Sequence, residues 1–233
     1  MALAAAWAAR EGLGLLHLVQ LPRAAAVLLA VVLLDCAIYA QHVVFHRVPL
    51  LWRLHRVHHT DPDYDVSTAA RFHPVEILLS MGIKIVAVVA LGAPPLAVVI
   101  FEVVLSTTAL FNHGNVGLPL ALDRVVRWVI VTPDMHRVHH SVLRAETDSN
   151  FGFNLPWWDR LFGTYRAQPA RGHVGMRIGL QEFPGAGSTS LGRLLLQPLE
   201  SPGGTPASGS PAGQREAGEP GRPGDSEPPG PGC

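Results

Sequence analysis

Apolar residues crowd into a few long runs before position 132 and are sparse over the last fifty positions. The first strong run, 24–41 (AAAVLLAVVLLDCAIYAQ), follows Pro22, a residue suited to a helix start, and has about the length a bilayer core requires. Residues 75–92 and 96–112 form a second apolar pair, and the Gly92-Ala93-Pro94-Pro95 break between them stops one helix and starts the next. The pattern predicts three membrane helices, the last two as a tight hairpin. A buried hairpin of a soluble protein is the competing reading, because Lys84 and Glu102 interrupt the arms. Residues 1–20 are moderately apolar but broken by Arg10 and Glu11, and they lack the basic start of a signal peptide, so an interfacial or partly inserted helix is expected. Segment 119–132 is amphipathic. It predicts a helix lying on the membrane, with Asp123, Arg124 and Arg127 toward water and its Leu, Val, Ile and Trp residues toward apolar surroundings.

The character changes near position 184. Residues 1–183 read as one membrane-embedded domain, 184–200 as a linker with a short interfacial helix at 191–199, and 201–233 as a disordered tail rich in Gly, Pro, Ser and Glu. The expected fold class is an all-α integral membrane protein: helical hairpins, a histidine-rich helical cap and a disordered C-terminal tail. Eighteen basic and 18 acidic residues leave a formal net charge of 0, which speaks against a nucleic-acid partner. Cys36 and Cys233 lie far apart and suggest no disulfide framework. Asp35, inside the first membrane helix, is either a functional group or an interfacial carboxylate with a hydrogen-bonding partner. Threading the three helices through a bilayer puts every histidine cluster on one side. Arg47, Arg53, Arg56, Arg71, Arg124, Arg127, Arg137 and Arg144 fall on that side too, so the positive-inside rule predicts that the histidines face the cytoplasm.

Histidine carries the chemistry. Ten of the 12 histidines fall between His42 and His140. His42 and His46 form HxxxH, which puts two imidazoles on one helix face. His55, His58 and His59 form HxxHH, and His136, His139 and His140 repeat that spacing. His73 and His113 add two more candidates, whereas His17 and His173 stand outside the clusters. One HxxxH is weak evidence, but the three clusters together are far beyond coincidence. Ten imidazoles suffice for two metal ions with some left over to orient the ligands. Imidazole itself suits Fe, Zn, Ni or Cu. HExxH, G-x-S-x-G and P-loop patterns are missing, which leaves zincin, serine-hydrolase and phosphate-loop chemistry without support.

In order and spacing, LDCAIYAQHVVFHRVPLLWRLHRVHH, TAARFHPVE, FNHGN, TPDMHRVHHS and DSNFGFNLPWWDRLFGTY resemble the fatty acid hydroxylase/sterol desaturase superfamily, from about Asp35 to Tyr165. The resemblance implies a multi-helix membrane protein that binds two iron ions, uses O2 as co-substrate and takes electrons from a separate donor protein or reductase. It implies oxidation, most simply hydroxylation, of an apolar lipid-like substrate such as a sterol or fatty acyl chain. It further implies metal ligation by His42, His46, His55, His58, His59, His113, His136, His139 and His140, with His73 as a ligand or a support. Asp148 and Asn150 would shape the site, and Trp157, Trp158 and Asp159 would anchor the cap. The alternatives are a desaturase on the same metals and a non-catalytic membrane metal or haem protein. The chain departs from the family pattern at Val43, where many members have arginine, and at Ala40-Gln41, where an aromatic is common. Many members also carry further apolar segments ahead of the Asp35 helix, so a truncation or a reduced bundle is expected.

Overall fold

The computed structural model describes residues 1–183 and 190–201. The proposed tail at 202–233 lies outside the described residues. Among those described the architecture is all-helical. Three helices are long and apolar enough to cross a membrane: α2 (Arg23–Arg47), α4 (Pro74–Leu91) and α5 (Pro95–Asn112). Helix α1 (Ala2–Arg10) precedes them, and α3 (Pro49–His59) follows α2 directly.

Proline sets the boundaries. Pro49 cannot donate a backbone hydrogen bond, so α2 ends at Arg47 and α3 begins with Pro49 in its first turn. Helix α2 continues six residues past the predicted end at 41. At 25 residues it is roughly 37 Å long, more than the hydrocarbon core needs, so its last turns carry His42 and His46 toward the membrane surface. Helices α4 and α5 also start on prolines. Gly92 ends α4 in the left-handed conformation (φ 64°), and a Cβ there would lie 2.6 Å from both Leu13 O and the His17 side chain. Only glycine fits this turn, where the segment after α1 crosses the α4–α5 connection.

The membrane half is held by small and aliphatic side chains. Ala5 of α1, Ala30, Leu34 and Ile38 of α2, Val88 of α4, and Ala97, Val98 and Phe101 of α5 form its core. Small residues let helix backbones approach closely, which is how packing works where lipid supplies no hydrophobic drive. Helices α4 and α5 each pack on α1 and α2 but have little contact with each other. A cleft is left between them, with α2 at its back. Leu78, Val86 and Val103 are well exposed on the outer faces, as lipid contact requires.

The cap comprises α3, α6 (Leu120–Val126), α7 (Pro133–His139), α8 (Arg144–Thr147), α9 (Trp157–Leu161), α10 (Gly172–Gly175) and α11 (Leu191–Leu196). Two expectations change here. Only 120–126 of the amphipathic segment is α-helical, and its charges do not all face water: Asp123 and Arg127 are buried as an ion pair. Leu120, Leu122, Val125, Trp128 and Val129 point outward, as an apolar face turned to a membrane surface would. Pairing i with i+4 and donating to Ala167 O from Arg127 Nη1 (2.7 Å) let the polar side turn inward. Asp35 accepts from Trp158 Nε1 (2.8 Å) and Leu155 N (3.2 Å), and so ties α2 to the cap as a structural carboxylate.

The segment at 191–200 docks on α3. Arg56 Nη2 donates to the carbonyls of Gln197 (2.5 Å) and Glu200 (2.6 Å), while Leu191, Leu196 and Leu199 remain exposed.

Candidate metal centre

Nine imidazoles converge between α2, α3, α5 and α7, in two groups. His42, His46, His55, His59 and His139 form the first, and His58, His113, His136 and His140 form the second. Within each group the candidate donor atoms lie within 4.8 Å of one another. All nine residues are buried.

The two HxxHH motifs are interleaved. On α3, the i,i+4 pair His55 and His59 serves the first group, and His58 turns to the second. On α7, His136 and the adjoining His140 serve the second group, and His139 turns back to the first. Each motif thus gives two imidazoles to one group and one to the other. The rings of His59 and His140 stack at 4.5 Å where the groups meet.

Hydrogen bonds fix the tautomers. The Nδ1–H groups of His42, His113 and His139 donate to the carbonyls of Phe151 (2.8 Å), Ala109 (2.7 Å) and Ser149 (2.7 Å). His55 Nδ1–H donates to Glu76 Oε1 (2.6 Å), and His46 Nδ1–H faces Asp148 Oδ1 at 3.3 Å. A neutral imidazole that donates through Nδ1 presents a lone pair at Nε2. His42 Nε2 and His55 Nε2 therefore turn two lone pairs toward each other at 3.1 Å. Such an approach is repulsive unless a cation lies between them. The other close Nε2 pairs, His46–His59, His58–His113 and His113–His136, are each at 3.2 Å. With metal–nitrogen bonds of about 2.1 Å, neighbouring ligands of an octahedral ion would be separated by about 3.0 Å. Nε2 of His139 and both ring nitrogens of His140 are buried with no hydrogen-bond partner. Buried polar atoms are rarely left so, and a metal would satisfy them.

Electrostatics favours the ligating form. Burial, reinforced by neighbouring imidazoles, holds His58, His59, His136 and His140 well below the usual imidazole range. Burial also lowers His113 to about 4 and His139 to about 3, against the opposing effect of their hydrogen bonds to carbonyls. At neutral pH these rings are uncharged, as metal binding requires. The donor set fits two ions of the kind imidazole prefers.

The remaining sequence candidates sit elsewhere or act at one remove. His73 is outside both groups: its Nδ1 caps α4 by accepting from Val75 N (3.2 Å), and its Nε2 meets Leu195 O (3.2 Å). Asp148 bridges His46 to Arg144 Nε (2.7 Å). Asn150 takes a left-handed conformation (φ 52°), which asparagine tolerates, and pins the cap by hydrogen bonds to Met135 O and Arg166. Asp159 accepts from Phe151 N, Gly152 N and Thr164 Oγ1, while Trp157 Nε1 donates to Trp128 O. Burial raises Asp159 to about 6.

Sequence reasoning passed over Glu76, Tyr64 and Phe72. Glu76 directly orients His55. Tyr64 packs edge-on to His140 (4.9 Å), and Phe72 stacks on His58 (4.3 Å, 9° between planes). Glu76 carried a signal: a carboxylate in the first turn of an apolar helix, three residues after a histidine.

A cavity of about 370 Å³ runs from the first group into the membrane half. His42, His55 and Glu76 line its inner end, and Ile38, Phe45 and Phe153 are among its apolar walls.

A family model described as fatty acid hydroxylase matches residues 27–164. An ornithine lipid hydroxylase of Rhizobium tropici is 33% identical over 64% of this chain and 44% of its own length. The human alkylglycerol monooxygenase is 31% identical over 64% of this chain and 32% of its own. The human cholesterol 25-hydroxylase is 29% identical over 62% and 53%. The matches thus span about a third to a half of these curated relatives. No solved structure matches the chain at a significant level.

Proposed function

The chain belongs to the fatty acid hydroxylase family, and on that premise we propose that it is a membrane di-iron hydroxylase acting on a lipid held in the α2–α4–α5 cleft. The observation that carries this reading is the placement of two buried, interleaved imidazole groups at the inner end of an apolar cavity. The matched relatives share hydroxylation or monooxygenation in their names and differ in the lipid. That supports the reaction more strongly than any one substrate.

His42, His46, His55, His59 and His139 would hold one iron, and His58, His113, His136 and His140 the other. Iron, when bound, supplies O2 activation and cleavage of an unactivated C–H bond, which side chains alone cannot achieve. The balanced reaction is R–H + O2 + 2 e⁻ + 2 H⁺ → R–OH + H2O. The electrons would come from a separate donor protein or reductase, as the family membership leads one to expect.

The residues of the chain do the rest. Glu76, Asp148 and the carbonyls of Phe151, Ala109 and Ser149 hold imidazole protons at Nδ1 and keep Nε2 free to ligate. Phe45, Phe72 and Phe153 line the cleft beside His42 and His55, excluding water and holding the alkyl part of a substrate. The arginine bias read from the sequence supports a cytoplasmic position for the histidines.

The test is metal analysis of detergent-purified protein from iron-replete cells, followed by incubation with lipids, reductant and labelled O2. Iron at two ions per chain and a product heavier by one labelled oxygen are expected. A folded protein that holds only zinc would overturn the reading, and a product merely lacking two hydrogens would replace hydroxylation with desaturation.

A further inference from the structure

The cavity is polar along one wall: Glu76 at the inner end, then Ser80, then Lys84 at the far end, whose i, i+4, i+8 spacing puts them on one face of α4. Lys84 is the only lysine in the chain. Its ammonium reaches across the cleft to Glu102 of α5 at 3.4 Å. One turn nearer the imidazoles, Gln41 Nε2 donates to Ser80 Oγ (2.9 Å), leaving Gln41 Oε1 buried without a donor. Ser106, one turn beyond Glu102 on α5, also lines the cavity.

An ion pair within two membrane helices is costly, and nothing in lipid packing calls for it. The cleft also opens sideways: Ile77, Met81 and Leu110 line it and are 47%, 41% and 51% exposed. A lipid can therefore reach it from the bilayer.

Resting on the hydroxylase reading, we propose that this polar end is a subsite for the hydroxyl group of a neutral, alcohol-bearing amphiphile. The chemistry selects the group. Lys84 and Glu102 already neutralise each other, so a carboxylate or amine would bring an uncompensated charge into the membrane interior. A hydroxyl brings none. It can accept from the Lys84 ammonium and donate to the unpartnered Gln41 oxygen, both of which line the cavity. An ester or ketone can only accept and would leave Gln41 Oε1 unsatisfied. The geometry then fixes the separation between the two ends of the substrate. Eight residues of α4 separate Glu76 from Lys84, about 12 Å of helix rise. The new oxygen is placed far from the existing hydroxyl, and the product is a diol with widely separated oxygens.

The test is binding to the full-length protein in nanodiscs, read as thermal stabilisation and by competition. The probes are a long-chain primary alcohol and the alkane and carboxylate of equal chain length. The alcohol is expected to bind at least about tenfold more tightly than either, the effect of one well-made hydrogen bond. Lys84→Met with Glu102→Leu replaces the pair by apolar residues of similar size, a change buried ion pairs tolerate. It should retain the alkane and bring the alcohol to parity. Gln41→Leu should lower the alcohol preference without the double change. Tighter binding of the carboxylate to the unmodified protein would overturn the proposal. So would a double variant that melts lower yet keeps its alcohol preference, because the pair would then only staple α4 to α5. Neither readout needs iron or turnover. An alcohol preference in a protein that never oxygenates would sink the hydroxylase reading alone, and oxygenation indifferent to the hydroxyl would sink the subsite alone.

Discussion

The two imidazole groups draw on the same HxxHH motifs but differ in the hydrogen bonds that support them. In the first, four of five rings have an Nδ1 partner, and two of those partners are the carboxylates Glu76 and Asp148. In the second, only His113 has one, while Nδ1 of His58, His136 and His140 is buried and unpartnered. There, aromatic packing stands in: Phe72 lies flat on His58 and Tyr64 packs against His140. Aromatic rings pack on the first group as well, Trp52 and Phe151 lying 4.8 and 5.0 Å from His46, so the group beside the cleft is oriented by charge and hydrogen bonds in addition to shape, and the group behind it mainly by shape. A carboxylate that accepts from a ligating histidine raises its basicity as well as aiming it. The first group should therefore hold its metal more tightly and tolerate loss of its supports less well.

The largest expected effect comes from the imidazoles proposed as ligands. His139→Ala removes a donor from the first group, and His136→Ala one from the second. Each should abolish oxygenation, and metal analysis should show loss concentrated in the centre that was cut. If either variant keeps full metal content and turnover, the two-group assignment fails. Next is Glu76→Ala. It strips the short hydrogen bond from His55, and metal affinity should fall about 10–100-fold. Glu76→Gln keeps an acceptor without the charge and should lie between. Competition with a chelator would measure both, and equal affinities in all three proteins would show that charge plays no part in the contrast.

The helices and the histidines that converge were legible in the sequence, because apolar runs and histidine spacing are local signals. The partition of those histidines was not. HxxHH on one helix says that His55 and His59 share a face, but sending His58 to a different centre requires α7 opposite α3. The same limit explains His73. The resemblance offers it as a ligand or a support; Pro74 starts a helix there, and His73 lies outside both groups with its Nδ1 at the helix cap. For Asp123 and Arg127, helical spacing alone could not tell a water-facing pair from an ion pair turned inward against the cap. Asp35 resolved the other way: its partners, Trp158 and Leu155, lie about 120 residues downstream, beyond any local pattern.

Asp148→Asn sharpens the contrast from its weaker side. Asp148 is 37% exposed, sits 3.3 Å from His46 and is shared with Arg144. An exposed, screened carboxylate contributes little. Affinity should fall less than tenfold, clearly below the effect of Glu76→Ala. A loss equal to that of Glu76 would mean that position, not burial, decides what a supporting carboxylate contributes.

The smallest effect is expected in the second group, at Phe72. Its ring lies 4.3 Å from that of His58 and nearly parallel to it, with no hydrogen bond available to hold the imidazole otherwise. Phe72→Leu keeps most of the apolar volume and removes the stacking, worth about 0.5–1.5 kcal/mol. In affinity that is roughly a twofold to tenfold loss. It should fall on the second metal only, because Phe72 packs more loosely against His55 (6.2 Å), which Glu76 already fixes. Chelator-release kinetics would show one phase accelerated and the other unchanged. Acceleration of both phases would mean that the two groups are held as one unit and that the division between charge and shape is only apparent.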